Sequence, residues 1–422
     1  MLRGSAKRYR SAVRRFSRWR RLMVYRFDVQ RYEKIIFFRI FALMIIGYDA
    51  KRAFCNNTGL GNYSRMVIGG VAERDTEVVL YTPRRRGRHE HYFDEKGRVK
   101  VRQPQGLWHL APALWRSVAI GGRLGKDGVD LFHGLSHELP YGIPKGVKKV
   151  VTMHDLIVFR HPEYFKPIDR LIHRVKMRHA CEGADVVVAI SEQTKADLIT
   201  MLHVDEAKIR VVYQSCDPLF WHWCQQVTAG EDMSIEMRSA RLKYGLPERY
   251  VLCVGTVEPR KNQAVVVRAM GSLPDDVALA VVGRSRSGYG EVVRKVAEEC
   301  GVARRVFFIE GAAFADFPAL YAGAVASVYM SRFEGFGIPV LEAMCCDTPV
   351  VTSSVSSMPE AGGEAALYAE PDDVATVAKH LRRLMEDRDF RAECVEKGRL
   401  QREKFAPEKV TEEMLKLYRT LL

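Results

Sequence analysis

The chain has 422 residues, 47% hydrophobic and 28% charged, which is too long for one ordinary domain and supplies material for two cores. Its formal charge of +15 is concentrated at one end: residues 1–43 hold thirteen Lys/Arg against Asp28 and Glu33, a net of +11, leaving +4 for the other 379 residues. A nearly balanced body without a basic motif argues against a nucleic-acid-binding protein. Nine cysteines with no Cys-x-x-Cys pair and no histidine at metal-ligand spacing argue against a zinc site and for reduced core thiols in a cytosolic protein.

Residues 3–21 interleave arginines with Tyr9, Val13, Phe16 and Trp19 at spacings of three or four. As a helix this run would present an aromatic stripe between arginine flanks, suited to an anionic membrane surface. The apolar run 35–46 is about a dozen residues, contains Arg39, and is too short to span a bilayer. No small-residue cleavage site follows it, which argues against a secretory signal. Two other readings stand beside membrane contact: a segment without fixed structure, and a misassigned start, because Met44-Ile-Ile-Gly-Tyr opens directly on a first strand.

From Met44 onward, short β-branched strands alternate with amphipathic stretches, the pattern of parallel sheets wound by helices. Strands are expected at 44–48, 77–81, 129–133, 149–153, 185–190 and 210–213, completing one α/β unit. An irregular stretch, 214 to about 247, then precedes strands at 250–255, 278–283, 306–309, 326–330, 349–352 and 366–368. This divides the chain into an extension at 1–43, units at 44–225 and 226–406, and a last helix, 407–422, long enough to pack back on the first unit. Ligands of such sheets lie beyond the carboxyl ends of the strands, here in the cleft between two units.

Several constellations fall at those strand ends. In Glu334-Gly335-Phe336-Gly337-Ile-Pro339-Val-Leu-Glu342 two glycines allow close backbone approach and Pro339 opens a helix, so the N–H groups of Phe336 and Gly337 form an anion site. Carboxylates at both ends of such a cradle suit vicinal hydroxyls of a sugar or ribose; a surface loop with solvated acids is the plainer alternative. Gly255-Thr256-Val-Glu-Pro-Arg260-Lys261 ends the first strand of the second unit, and its basic pair would neutralise a diphosphate. Gly59-Leu-Gly61-Asn-Tyr63 is a glycine turn leading into a helix from about Asn62; it lacks the third glycine of a dinucleotide fingerprint. His154-Asp155 closes an apolar strand, His154 to position a donor sugar and Asp155 to orient it or bind an acceptor hydroxyl. His133 and Ser191 end neighbouring strands and are weaker candidates.

Together these motifs, with Ser191-Glu-Gln-Thr between them, resemble the large retaining glycosyltransferase family 4, also called group 1 glycosyltransferases, over essentially all of 44–422. The resemblance implies the GT-B fold, an α/β architecture of two doubly wound Rossmann-like domains facing across a cleft, the first for acceptor and the second for the nucleotide sugar. It assigns Glu334 to the transferred sugar, Glu342 to the ribose, and Arg260 and Lys261 to the diphosphate, with His154 on the donor sugar. Gly59 or Gly61 would approach the phosphate from the opposite domain. Gly255, Thr256, Gly335, Phe336 and Gly337 complete the donor site, and Asp155 and Tyr63 face the acceptor. The family's usual arginine after the second-domain glycine is Thr256 here, and Arg260 is expected to compensate.

The implied reaction moves a hexose, GDP-mannose being the favoured donor, to a saccharide or lipid-linked saccharide in cell-surface polysaccharide or lipopolysaccharide synthesis. Configuration is retained, with no metal and no cofactor beyond the nucleotide-sugar cosubstrate, at the cytoplasmic face of the membrane. Two rivals remain. One is a membrane- or nucleic-acid-binding protein acting through its basic tail. The other is an NAD-dependent oxidoreductase on the same sheets, against which the missing third glycine argues.

Overall fold

A computed structural model describes residues 44–422 apart from 75, 86, 95–97, 286 and 287. The basic segment and its expected membrane contact lie outside the described residues. Apolar β-branched runs form seven parallel strands in the first half: β1 (Ile45–Asp49), β2 (Glu77–Tyr81), β3 (Val99–Arg102), β4 (Leu131–Gly134), β5 (Lys148–Met153), β6 (Val186–Ala189) and β7 (Ile209–Val211). Their spatial order is β3-β2-β1-β4-β5-β6-β7, so the winding reverses between β1 and β4. The second sheet holds β8 (Arg249–Val254), β9 (Val277–Val282), β10 (Val306–Ile309), β11 (Ala326–Tyr329), β12 (Val350–Ser353) and β13 (Ala366–Ala369) in the order β10-β9-β8-β11-β12-β13. Central strands such as β6 and β9 are buried along their whole length, because helices cover both faces of each sheet.

Three local features differ from the sequence reading. β3 is an added edge strand whose Val-Lys-Val-Arg alternation is too short and charged to announce itself. A short helix, Lys51–Cys55, follows β1, and the longer one after it starts at Gly59, a turn earlier than Asn62, on an uncapped Thr58. The stretch between the sheets is not irregular but helical at Pro218–Thr228 and Ser234–Lys243; the Asp217 carboxylate accepts the Leu219 N–H at 3.1 Å and Pro218 opens the first of these helices.

One apolar cluster runs from Ile46 and Val78 in the first sheet through Phe220 and Trp221 to Tyr250 in the second sheet and Leu341 in the helix Ile338–Cys345, joining the two units. The last helix, Pro407–Leu421, lies against the helix Gly59–Ala72, where Thr411 occupies the space a side chain at Gly70 would need. Its Tyr418 hydroxyl meets His133 Nδ1 at 2.6 Å and the Tyr48 hydroxyl at 3.2 Å. No described helix is long and apolar enough to cross a membrane.

Candidate active site

The loops after β8 and β11 leave the second sheet on either side of its topological switch point, the place where such sheets bind ligands. They are tied together by the backbone: the Arg332 N–H donates to the Arg260 carbonyl at 2.9 Å. That brings the basic pair to the first glutamate. Oε1 of Glu334 accepts from Arg260 at 2.5 Å, Ser331 at 2.7 Å, Tyr329 at 2.8 Å and, closer still, the Lys261 ammonium. Arg260 also pairs with Glu258 at 2.7 Å, and Lys261 also donates to the Tyr329 hydroxyl.

The side chains of Arg260, Lys261 and Glu334 are each less than a fifth exposed. Burial alone would raise the Glu334 carboxyl; Lys261 and Arg260 overturn that and hold it down at about 2. The same burial lowers Lys261, with Glu334 opposing. A buried ion cluster of this kind is often no more stabilising than well-packed apolar residues, while removing one member strands charge at a cost of about 3–5 kcal/mol. Its presence at a switch point therefore points to chemistry.

Across the cleft, His154 follows β5. Its N–H donates to His137 Nε2 at 2.8 Å, and its Nε2 lies 2.9 Å from the Leu135 carbonyl. A carbonyl only accepts, so Nε2 carries the proton and Nδ1 is the ring's acceptor. Burial and then the neighbouring His137 lower this imidazole to about 3, so it stays neutral. The Tyr63 ring stands edge-on to it, centroids 4.7 Å apart.

The two halves touch at this point. A Cβ on Gly335 would collide with the His154 carbonyl oxygen, and the Thr194 hydroxyl reaches that oxygen at 3.2 Å and the Gly335 carbonyl at 3.5 Å. Beside them, the Glu360 carboxylate of the second unit accepts the N–H groups of Glu192 and Gln193 at 2.6 and 2.9 Å, at the start of the first unit's helix Glu192–Leu202. A carboxylate on a helix N-terminus is favourable, and here it crosses between units.

Residues 57–218 match the family described as Glycosyltransferase Family 4, and residues 237–401 match Glycosyl transferases group 1. The chain belongs to this glycosyltransferase family. Among its relatives, O-antigen chain mannosyltransferase B of Escherichia coli is 29% identical over 69% of this chain and 74% of its own length. O-antigen chain mannosyltransferase RfbU of Salmonella typhimurium is 28% identical over 75% and 84%. The Anabaena protein HepE, solved in complex with UDP and glucose, superposes with a TM-score of 0.70 at 19% identity, over 90% of this chain and all of that one. The fold is GT-B, and the protein is a transferase.

The other expected site residues of this glycosyltransferase fall into two groups. At the cleft, Gly255 follows β8 with its N–H on the Val282 carbonyl at 2.9 Å, and the Thr256 carbonyl accepts from Gln263 at 3.0 Å. Asp155, raised by burial, caps the next turn through the Ile157 N–H at 3.1 Å and feels both Arg260 and Glu334. Gly337, at φ +109°, turns the chain into the helix Ile338–Cys345, a backbone conformation that favours glycine. Gly59 is open to solvent at the start of its helix, whereas a side chain on Gly61 would strike the Asn56 carbonyl.

The second group is buried. The Phe336 ring is buried edge-on against Phe405, centroids 5.0 Å apart, so only its backbone is available to a ligand. Tyr63 was expected toward the acceptor; its hydroxyl instead bonds Thr152 at 2.9 Å in the core, with its ring under His154. His133 is buried between Thr152 and Tyr418, and Ser191 caps its helix by accepting the Thr194 N–H at 3.0 Å. Glu342 is buried against the Tyr321 hydroxyl at 3.0 Å, and burial raises its carboxyl to about 7. Tyr329, Ser331 and Glu360 were missed; a tyrosine ending an apolar strand, which must find a partner for its hydroxyl, was the available signal for the first.

Proposed function

We propose that this glycosyltransferase moves a hexose, mannose from GDP-mannose in the first instance, onto a saccharide or lipid-linked saccharide in cell-surface polysaccharide synthesis, with retention of configuration. The observation that carries the reading is the convergence of Arg260, Lys261, Tyr329 and Ser331 on one oxygen of Glu334 at the switch point. The O-antigen mannosyltransferases among its relatives support the sugar and the pathway class.

In this reading Arg260 and Lys261 stabilise the leaving diphosphate, each having donors in addition to those engaged on Glu334. Glu334 receives hydroxyls of the transferred sugar, and Glu342, once ionised, receives those of the ribose. His154, neutral with Nδ1 as acceptor, takes a hydrogen bond from the same sugar. The acceptor hydroxyl attacks on the face from which the diphosphate leaves, and the departing phosphate oxygen takes its proton. Tyr63 supports His154 from below. The donor is a cosubstrate and no resident cofactor is assigned; the reaction would take place in the cytoplasm.

A melting scan with GDP-mannose, GDP, UDP-glucose and NAD tests the reading. At a hundredfold excess over its dissociation constant a ligand adds about 2.7 kcal/mol, so GDP-mannose should raise Tm by several degrees. Stabilisation by NAD alone would overturn the proposal.

A further inference from the structure

The first sheet has a switch point of its own, between β1 and β4, and such points are where doubly wound sheets bind ligands. Lys51 and Arg52 follow β1 at once, on the short helix Lys51–Cys55, and both residues are half-buried. The Arg52 Nε is buried without a hydrogen-bond partner among the described residues, and neither Lys51 nor Arg52 is in an ion pair among them. Burial, and then Arg116 and Arg52 beside it, lower the Lys51 ammonium.

The carboxylates that Lys51 feels are already taken. Asp49 pairs with Arg116 at 2.5 Å, and Glu138 pairs with Arg116 at 2.6 Å and Lys176 at 3.3 Å. Four cations thus meet two carboxylates here, and the surplus falls on the adjacent pair that has no partner. An unpaired cation withdrawn from water destabilises a fold, and groups of this kind gather at functional sites. Arg52 acts on His137 and His154, which follow β4 and β5, whereas Asp155 feels Arg260 and Glu334. The free pair therefore lies beside His154 and apart from the donor cluster.

We propose that Lys51 and Arg52 form an anion subsite for a phosphate group carried by the acceptor, Arg52 as a fork and Lys51 as a point charge. Two adjacent cations match a dianion, whereas a carboxylate would leave one of them uncompensated. The proposal rests on the reading of the first domain as the acceptor side and adds the chemical class of the group recognised there. A phosphate seated beside His154 anchors the acceptor, so that one of its hydroxyls is held toward the transferred sugar instead of sampling the cleft.

The test is calorimetric titration of the full chain with inorganic phosphate, mannose 6-phosphate and mannose. The two phosphates should bind and mannose should not. Lys51→Gln/Arg52→Gln should weaken both phosphates at least about tenfold, because each loses its charged hydrogen bonds. Since the charges removed are unpaired, the Tm of this variant should equal or exceed that of the parent. The proposal is overturned if neither phosphate binds the parent, or if the double variant binds them as the parent does, which would put the ion on the donor side. It also fails if inorganic phosphate binds and mannose 6-phosphate does not, the mark of a site for the free ion, or if the double substitution lowers Tm by several degrees, the mark of a structural role. The donor reading fails separately: a parent that binds mannose 6-phosphate through Lys51 and Arg52 yet no nucleotide sugar in the melting scan would sink that reading and leave this subsite standing.

Discussion

Glu334 and Glu342 begin and end one nine-residue segment and carry opposite electrostatic characters. Cations beside Glu334 hold it ionised at about 2, whereas Glu342, with a tyrosine hydroxyl as its near partner, is raised to about 7 by burial. If Glu342 must be ionised to accept ribose hydroxyls, donor affinity should rise with pH through that value. The KM for GDP-mannose is expected to fall several-fold between pH 6 and pH 8 with kcat less affected, and Glu342→Gln should remove the dependence. A parent KM that is flat over this range would separate Glu342 from donor binding.

At the scale of elements, the decisive contact is between the loop after β11 and the end of β5. Gly335→Ala places a methyl group where the His154 carbonyl sits, so the halves cannot close without shifting. Because misplacement of reacting groups by about 1 Å costs about a hundredfold, kcat should fall by that order while Tm changes little. Retained kcat would show that closure does not need this contact. Gly255-to-Asn262 and Glu334-to-Glu342 were legible in the sequence as strand-to-helix switches, because glycine, proline and apolar runs write local geometry directly. β3 was not, since a four-residue edge strand with outward Lys100 and Arg102 carries little periodicity. The Phe336 ring, Tyr63 and Glu360 take their positions from partners distant in the chain, and no local pattern reports that.

For the whole molecule, buried titratable groups oppose one another. His133, His137 and His154 are each lowered by burial to about 3. Their folded values lie below the unfolded one, so the stability they preserve above about pH 6.5 is lost as pH falls, by about 2 kcal/mol each at pH 5. Glu342 has the other sign: its folded value is raised, so the native state gains about 2 kcal/mol between pH 7 and pH 5. Urea unfolding of the parent should therefore lose about 4 kcal/mol over that interval and the Glu342→Gln variant about 6 kcal/mol. Equal slopes would mean that Glu342 is ionised in the folded protein.

The same arrangement, two sheets joined by one apolar cluster and clasped by Glu360 and Gly335, brings the neutral His154 opposite the charged Glu334 cluster. Sugar transfer is the activity of the family to which the chain belongs, and we propose that this geometry carries it out from a nucleotide diphosphate sugar. Its most direct test is turnover of a panel of nucleotide sugars by the parent, Glu334→Gln and Lys261→Ala, with the anomeric configuration of the released or transferred sugar read by NMR. The expected result is turnover of GDP-mannose above the other donors with the α-configuration retained, and a loss of at least about a hundredfold in each variant. Inverted product, or full activity in either variant, would contradict it.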